Sequence, residues 1–225
     1  MTVDWWAYAP LFLKAAGTTI WLSWLALAIG AVGGLAVALA RTSQIAVLRL
    51  LALLFTETFR SIPILIVLFF AFFGVPVVLG LDLSPFLAAT LALALHASST
   101  MSEVIRAGLE SVGRGQWEAA QASGMTYAQV MRHVVGPQAL RVILPPSVGV
   151  YIATLKESSL ASIIGYVELT KTGLLIRESL DGGFGALLIL AGLYFLINYA
   201  ISLVGMALER RFRAGTGLMT AGAGQ

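Results

Sequence analysis

A chain of 225 residues that is 59% hydrophobic and only 11% charged falls far below the roughly 25% charge of a soluble domain. With a mean hydropathy of +0.91, its expected solvent is the lipid bilayer. A net charge of +3 in such a chain reflects Lys and Arg in cytoplasmic loops and not nucleic-acid binding, and the absence of cysteine excludes disulfides and thiolate metal sites. The opening residues MTVDWWAYAP lack the basic start and small-residue cleavage site of a signal peptide.

A spanning helix needs about 20 mostly apolar residues. Ala15 to Ala40, Ile62 to Leu81, Leu83 to Ser102 and Gly182 to Leu208 provide such runs. Leu140 to Gly165 reads as one more, interrupted by Lys156-Glu157. The expected fold is an all-α membrane protein of about five transmembrane helices. Arg41 and Arg49, then Arg106, Arg114, Arg132 and Arg141, then Arg210, Arg211 and Arg213 fall on one side of such a bundle. By the positive-inside rule that side is the cytoplasm, so the N-terminus lies outside and the C-terminus is cytoplasmic. Asp82 and the mixed-sign group Glu168, Lys171, Arg177, Glu178 and Asp181 fall outside, and Trp5, Trp6 and Tyr8 suit an interfacial anchor there. Residues 1–213 are expected to form a single transmembrane domain, with 214–225 a disordered Gly/Ala/Thr-rich tail.

Local punctuation divides the polar island after the third span. Ser84-Pro85 is an N-cap followed by proline at the first helical position. In the island at about 114–137, Gln116 to Ser123 reads as a short helix stopped by Gly124. Thr126 with Gln129 forms a capping box for a second short helix, which Pro137 is expected to end. Two short helices joined by a tight turn would then project from the membrane. Within them, Glu118 offers one fixed charge, Ala119 and Ala120 allow close approach to a groove, and Gly124 permits the turn.

This island resembles the cytoplasmic EAA loop of the membrane subunits of ATP-binding-cassette (ABC) importers, whose pattern is E-A-A, three residues, G, nine residues, then I-x-L-P. Glu118, Ala119, Ala120, Gly124 and Pro137 match in register, while Val134 and Gly136 stand where Ile and Leu are usual. Gly136 is expected to loosen the helix end. More of the chain resembles the polar amino-acid uptake branch, the histidine/glutamine/arginine-type permeases. The blocks are Phe59 to Pro63, Ser102 to Gly108, Gly115 to Ala120, Pro137 to Arg141, and Lys156 to Thr170. Ser61-Ile62 and Ala97-Ser98-Ser99-Thr100 depart from that branch's usual residues, at places within spans where a solute could pass.

The resemblance implies a type I importer transmembrane domain in a bacterial cytoplasmic (inner) membrane. It further implies a second permease subunit, identical or homologous, two cytoplasmic ABC ATPase subunits and an external solute-binding protein. Glu118, Ala119, Ala120 and Gly124 would couple to the ATPase. No cofactor would be bound by this chain, since ATP and Mg belong to the partner ATPase and no G-x-x-x-x-G-K-[ST] loop is present in the sequence.

Ionisable residues in or beside a span usually face the bundle interior or a watery path. Glu57 with Arg60, and Glu103 with Arg106, are spaced three apart and are able to pair. Lys156 and Glu157 are adjacent, so they point away from one another. Glu57, Arg60, Ser61, Glu103, Lys156, Glu157, Ser158 and Ser159 are the candidates for a translocation path or gate. Gly30 and Gly34 allow close helix packing, within the fold or between subunits. His133 reads as a surface contact, His96 as a hydrogen-bonded packing residue, and the aromatic run from Phe69 to Phe73 as packing. Two other readings remain at this point. One is an intramembrane hydrolase, for which only Ser99, three residues from His96, has workable spacing. The other is a passive channel, which needs no coupling loop.

Overall fold

The computed structural model describes residues 4–180 and 183–213, and among them every regular element is helical. The expected tail beyond residue 213 lies outside the described residues. A short turn at Trp5–Tyr8, capped by the Asp4 side chain, leads into α1, Ala9–Arg41. Helix α2 covers Ala46–Ser61 and α3 covers Ile64–Leu79, the two bent by 104°. Helix α4 runs Pro85–Glu110, α5 Arg114–Ala122, α6 Tyr127–Ser162, α7 Leu169–Ser179 and α8 Phe184–Arg213.

The second expected span is therefore not one straight run from Ile62. Its apolar stretch is α3, and a separate amphipathic helix, α2, precedes it. Pro63 makes the break: it lacks an N–H, and it forces Ile62 into the extended region at φ −85°, ψ 130°. Phe59, Arg60 and Ser61 close α2 beside this bend. By length and composition α1, α6 and α8 are each able to cross a membrane, and α2 with α3 qualify as one bent span. Helix α4 has 26 residues, about 39 Å of rise, but His96, Ser98, Ser99, Thr100 and Ser102 dilute its apolar run.

Helix α4 is the hub. Its small face packs along α1 so closely that a β-carbon on Gly30 would sit 2.6 Å from that of Ala97, and one on Gly34 2.7 Å from that of Met101. The glycine spacing read in the sequence thus serves packing within the chain. Leu22 and Ala26 of α1, Leu68 of α3 and Ala88, Ala92 and Leu93 of α4 form the main core. A second cluster joins Phe12 of α1 to Ile176 of α7 and Ala186 of α8. Lipid gives helices little hydrophobic reason to associate, so close van der Waals contact and interhelical hydrogen bonds carry the assembly. One such bond joins the buried Thr56 and Ser102 hydroxyls at 3.2 Å, tying α2 to α4.

Two π-turns interrupt the long helices, at Phe70–Gly74 and Met131–Val135. Each is followed by one residue and then a proline, Pro76 or Pro137. Val75 donates to Phe70 and Gly136 to Met131, five residues back in both cases. Widening the helix by one residue relieves the clash between a proline ring and the carbonyl four before it. Pro137 therefore does not end the second short helix. The chain runs through it, and α6 continues unbroken as a helix of 36 residues. Nor does Gly136 loosen that end: a β-carbon there would strike the Met131 carbonyl, so glycine is what the π-turn accommodates.

Candidate functional site

The elbow between α4 and α6 is built from local signals. Gly124 adopts φ +79°, the left-handed stop expected of it. The Met125 N–H then returns to the Ala120 carbonyl at 3.2 Å. Thr126 caps α6 reciprocally: its own N–H donates to Gln129 Oε1 at 2.8 Å, while its hydroxyl accepts from the Gln129 N–H at 3.4 Å. Ala120, Val130, Val135 and Ala139 form a small core beneath, half covered by Trp117, and the Trp117 and Tyr127 rings lie 5.9 Å apart. Gln138 bonds Gln116 at 3.3 Å, bracing α5 against α6.

This construction splits the E-A-A triplet. Ala120 points into the elbow core at 6% exposure, whereas Glu118, Ala119 and Gly124 are exposed. Glu118 takes part in no ion pair or hydrogen bond within the described chain. His133 is exposed too, its ring Nδ1 at 3.0 Å from the Gln129 carbonyl.

Just above the elbow, Glu103 is shared. It accepts from Arg106 at 2.7 Å, as the spacing predicts, and also contacts Arg41 at the end of α1. Arg106 further reaches Glu110 at 2.6 Å. The network clamps α1 to the part of α4 that carries the elbow. Glu57 and Arg60 are exposed at the end of α2 and form no ion pair with each other, although their spacing allows it; Ser61 is exposed beside them.

The Lys156-Glu157 pair diverges as expected. Lys156 is exposed, beside a groove between α6 and α8 that Tyr194, Asn198 and Ser202 also line. Glu157 turns inward, 3.5 Å from Nε2 of His96. Ser158 is fully buried with its hydroxyl on the Leu155 carbonyl, while the half-buried Ser159 bonds the Lys156 carbonyl. His96 is hydrogen-bonded as foreseen: its Nδ1 lies 3.0 Å from the Phe59 carbonyl. Both ring nitrogens are thus engaged away from Ser99, whose hydroxyl donates to the His96 carbonyl at 2.7 Å. A serine–histidine dyad is not formed, and the hydrolase reading loses its geometry.

Glu168 makes a joint that its local sequence does not mark. It is fully buried and caps α7, accepting from the Thr170 and Lys171 N–H groups at 2.9 and 2.8 Å. The Tyr194 hydroxyl of α8 donates to it at 3.0 Å, and the Thr19 hydroxyl of α1 at 3.3 Å. Thr19 also accepts from the Leu169 N–H at 3.0 Å. One carboxylate therefore joins α1, α7 and α8. Its place at the head of a mixed-sign segment read as an outside loop, and its partners Thr19 and Tyr194 lie too far along the chain to be inferred.

Residues 30–214 match the family described as the binding-protein-dependent transport system inner membrane component. The chain is 34% identical over 220 residues to the glutamine transport system permease protein GlnP of Escherichia coli (strain K12), covering 95% of this chain and 99% of that protein. It is 38% identical over 196 residues to the "Probable glutamine ABC transporter permease protein GlnP" of Bacillus subtilis (strain 168), covering 86% and 89%. A solved structure of an amino acid ABC transporter with histidines aligns with a TM-score of 0.85 at 37% identity, over 94% of this chain and 100% of that one. The inward-facing MetNI methionine ABC transporter aligns with a TM-score of 0.80 at 22% identity, over 94% and 99%, and speaks for the fold. This chain belongs to the inner-membrane components of binding-protein-dependent transport systems, the permease subunits of ABC importers.

Proposed function

We infer that this permease carries a polar amino acid, or a solute resembling one, and couples its passage to ATP hydrolysis by partner subunits. The observation that carries the coupling is the elbow: a well-braced structure that presents Glu118 and Ala119 outward, with no side-chain partner for Glu118 among the described residues. The printed names of the relatives, glutamine and amino-acid permeases, support the solute class. In this reading the chain has no ATPase site of its own. It pairs with a second permease subunit, docks two ABC ATPases on its elbows, and receives solute from an external binding protein. A single domain crosses the membrane about five times, N-terminus outside and elbow in the cytoplasm. ATPase closure pushes on Glu118, Ala119 and the Gly124 turn, and the helices rock between two packings. Glu57, Arg60, Ser61, Lys156, Glu157 and Ser159 lie along or beside the solute path. Ser158 supports it from within, and Glu103 holds the clamp that transmits force from the elbow.

The test is copurification from mildly solubilised membranes. A P-loop ATPase retained by the wild type and lost on Glu118→Lys is the expected result. An ATPase retained equally by both would remove Glu118 from the docking surface.

A further inference from the structure

The environment of His96 follows from a gap that Pro63 creates. In α2 the carbonyl of Phe59 would ordinarily accept from the N–H four residues on, and that residue is Pro63, which has none. The preceding residue, Ile62, already bonds Thr58. The Phe59 carbonyl is met instead by Nδ1 of His96, from α4, at 3.0 Å. A carbonyl oxygen only accepts, so Nδ1 must carry a proton. The tautomer is thereby fixed, and in the neutral ring Nε2 is a bare acceptor.

Nε2 lies 3.5 Å from Glu157 Oε1. A bare nitrogen facing an ionised carboxylate is two acceptors in contact, which is unfavourable; the contact becomes attractive when one proton resides on either group. The surroundings offer no substitute. Glu157 shares its pocket with apolar Ile64, Leu68, Ala92 and Leu93. Lys156 of its own helix is the other charged group acting on it, and none from α3 does so among the described residues. Glu57 and Arg60, on α2, are exposed.

We propose that His96 is a positioning residue: it replaces the hydrogen-bond donor missing at Pro63 and, so oriented, holds Glu157 through a single shared proton. The bend between α2 and α3, the middle of α4 and the end of α6 then meet at one ring. Loss of the shared proton removes this contact between Glu157 and α4, while the bond to Phe59 and the packing of Ile105 on Val150 stay. The tie itself stands on geometry; its consequence for transport rests on the permease reading, and the two are tested apart.

The first measurement is nitrogen NMR of the full permease–ATPase complex in lipid nanodiscs, isotope-labelled at histidine. The chain has two histidines, so a His133→Asn background leaves His96 alone. In spectra taken from about pH 5 to 8, Nδ1 should stay protonated, and any exchange of a proton should be confined to Nε2. Glu157→Gln should shift the Nε2 signal and leave Nδ1 in place. A neutral ring protonated on Nε2, or an Nε2 signal blind to the replacement, overturns the tie. The second measurement is ATP-driven uptake against pH in proteoliposomes that keep His133. His96→Asn keeps an amide donor near the position of Nδ1 but falls short of Glu157. It should fold, bind the ATPase and lose the pH-dependent limb in that interval. A profile matching the wild type would overturn the role in transport even with the tautomer as described.

Discussion

Two glutamates, Glu118 and Glu168, occupy opposite environments, and the contrast separates what this chain does from what holds it together. Glu118 is exposed, unpaired among the described residues, and set on a short helix that Gly124 stops and Gln138 braces. Glu168 is fully buried and accepts from two backbone N–H groups and two hydroxyls. A charge left in water on a rigid support is available to a partner at little desolvation cost. A charge taken out of water must be surrounded by donors, and those donors then become the joint between helices. Their unmet and met hydrogen-bonding capacity distinguishes the two.

The contrast is broken most severely by changing each glutamate. Glu118→Lys should take ATP-driven uptake to background while the melting temperature barely moves, since an exposed substitution usually costs within about 0.5 kcal/mol. Glu168→Ala should do the reverse in kind. It strips a cap and leaves Thr19 and Tyr194 without their shared acceptor, a loss of about 2–4 kcal/mol, read as a lower unfolding midpoint in detergent. Glu168→Gln keeps one acceptor oxygen and should fall between. If Glu168→Ala melts like the wild type, the joint between α1, α7 and α8 is held elsewhere.

A smaller effect belongs to the elbow's exit. Gly136→Ala drives a β-carbon against the Met131 carbonyl and should cost about 1–3 kcal/mol by overpacking, again seen in thermal unfolding. An unchanged midpoint would mean that the π-turn simply closes to an ordinary α-turn. The mildest change is Thr126→Ala, worth about 1 kcal/mol for a lost cap. It should appear as faster amide exchange confined to the first turn of α6, and uniform exchange across α6 would contradict a local role.

The features legible in the sequence are those that act within a few residues. The Ser84 cap, the Gly124 stop and the Thr126 capping box were all readable because donor and acceptor lie within one turn. The apolar runs located α1, α3 and α8. Helix α2 escaped notice because Arg49, Glu57 and Arg60 interrupt any apolar run there, although one face of it is apolar. Pro137 misled because a proline can be carried inside a helix by a π-turn, and that depends on what the neighbouring backbone does. The joints at Glu168 and His96 were hidden for a different reason. Thr19 and Glu168 are 149 residues apart, and nothing local marks which distant side chain will supply a missing donor. Pro63 did announce an orphaned carbonyl at Phe59; it could not announce His96.

The central claim is that the elbow shows one alanine to the ATPase and buries the other. The chain has no cysteine, so single replacements Ala119→Cys and Ala120→Cys report cleanly on thiol labelling of the permease alone and with its ATPase bound. The account predicts that Ala119→Cys labels readily alone and is protected by the ATPase, while Ala120→Cys stays unreactive in both. Equal labelling at the two positions, or labelling of Ala119→Cys that the ATPase leaves unchanged, would contradict it.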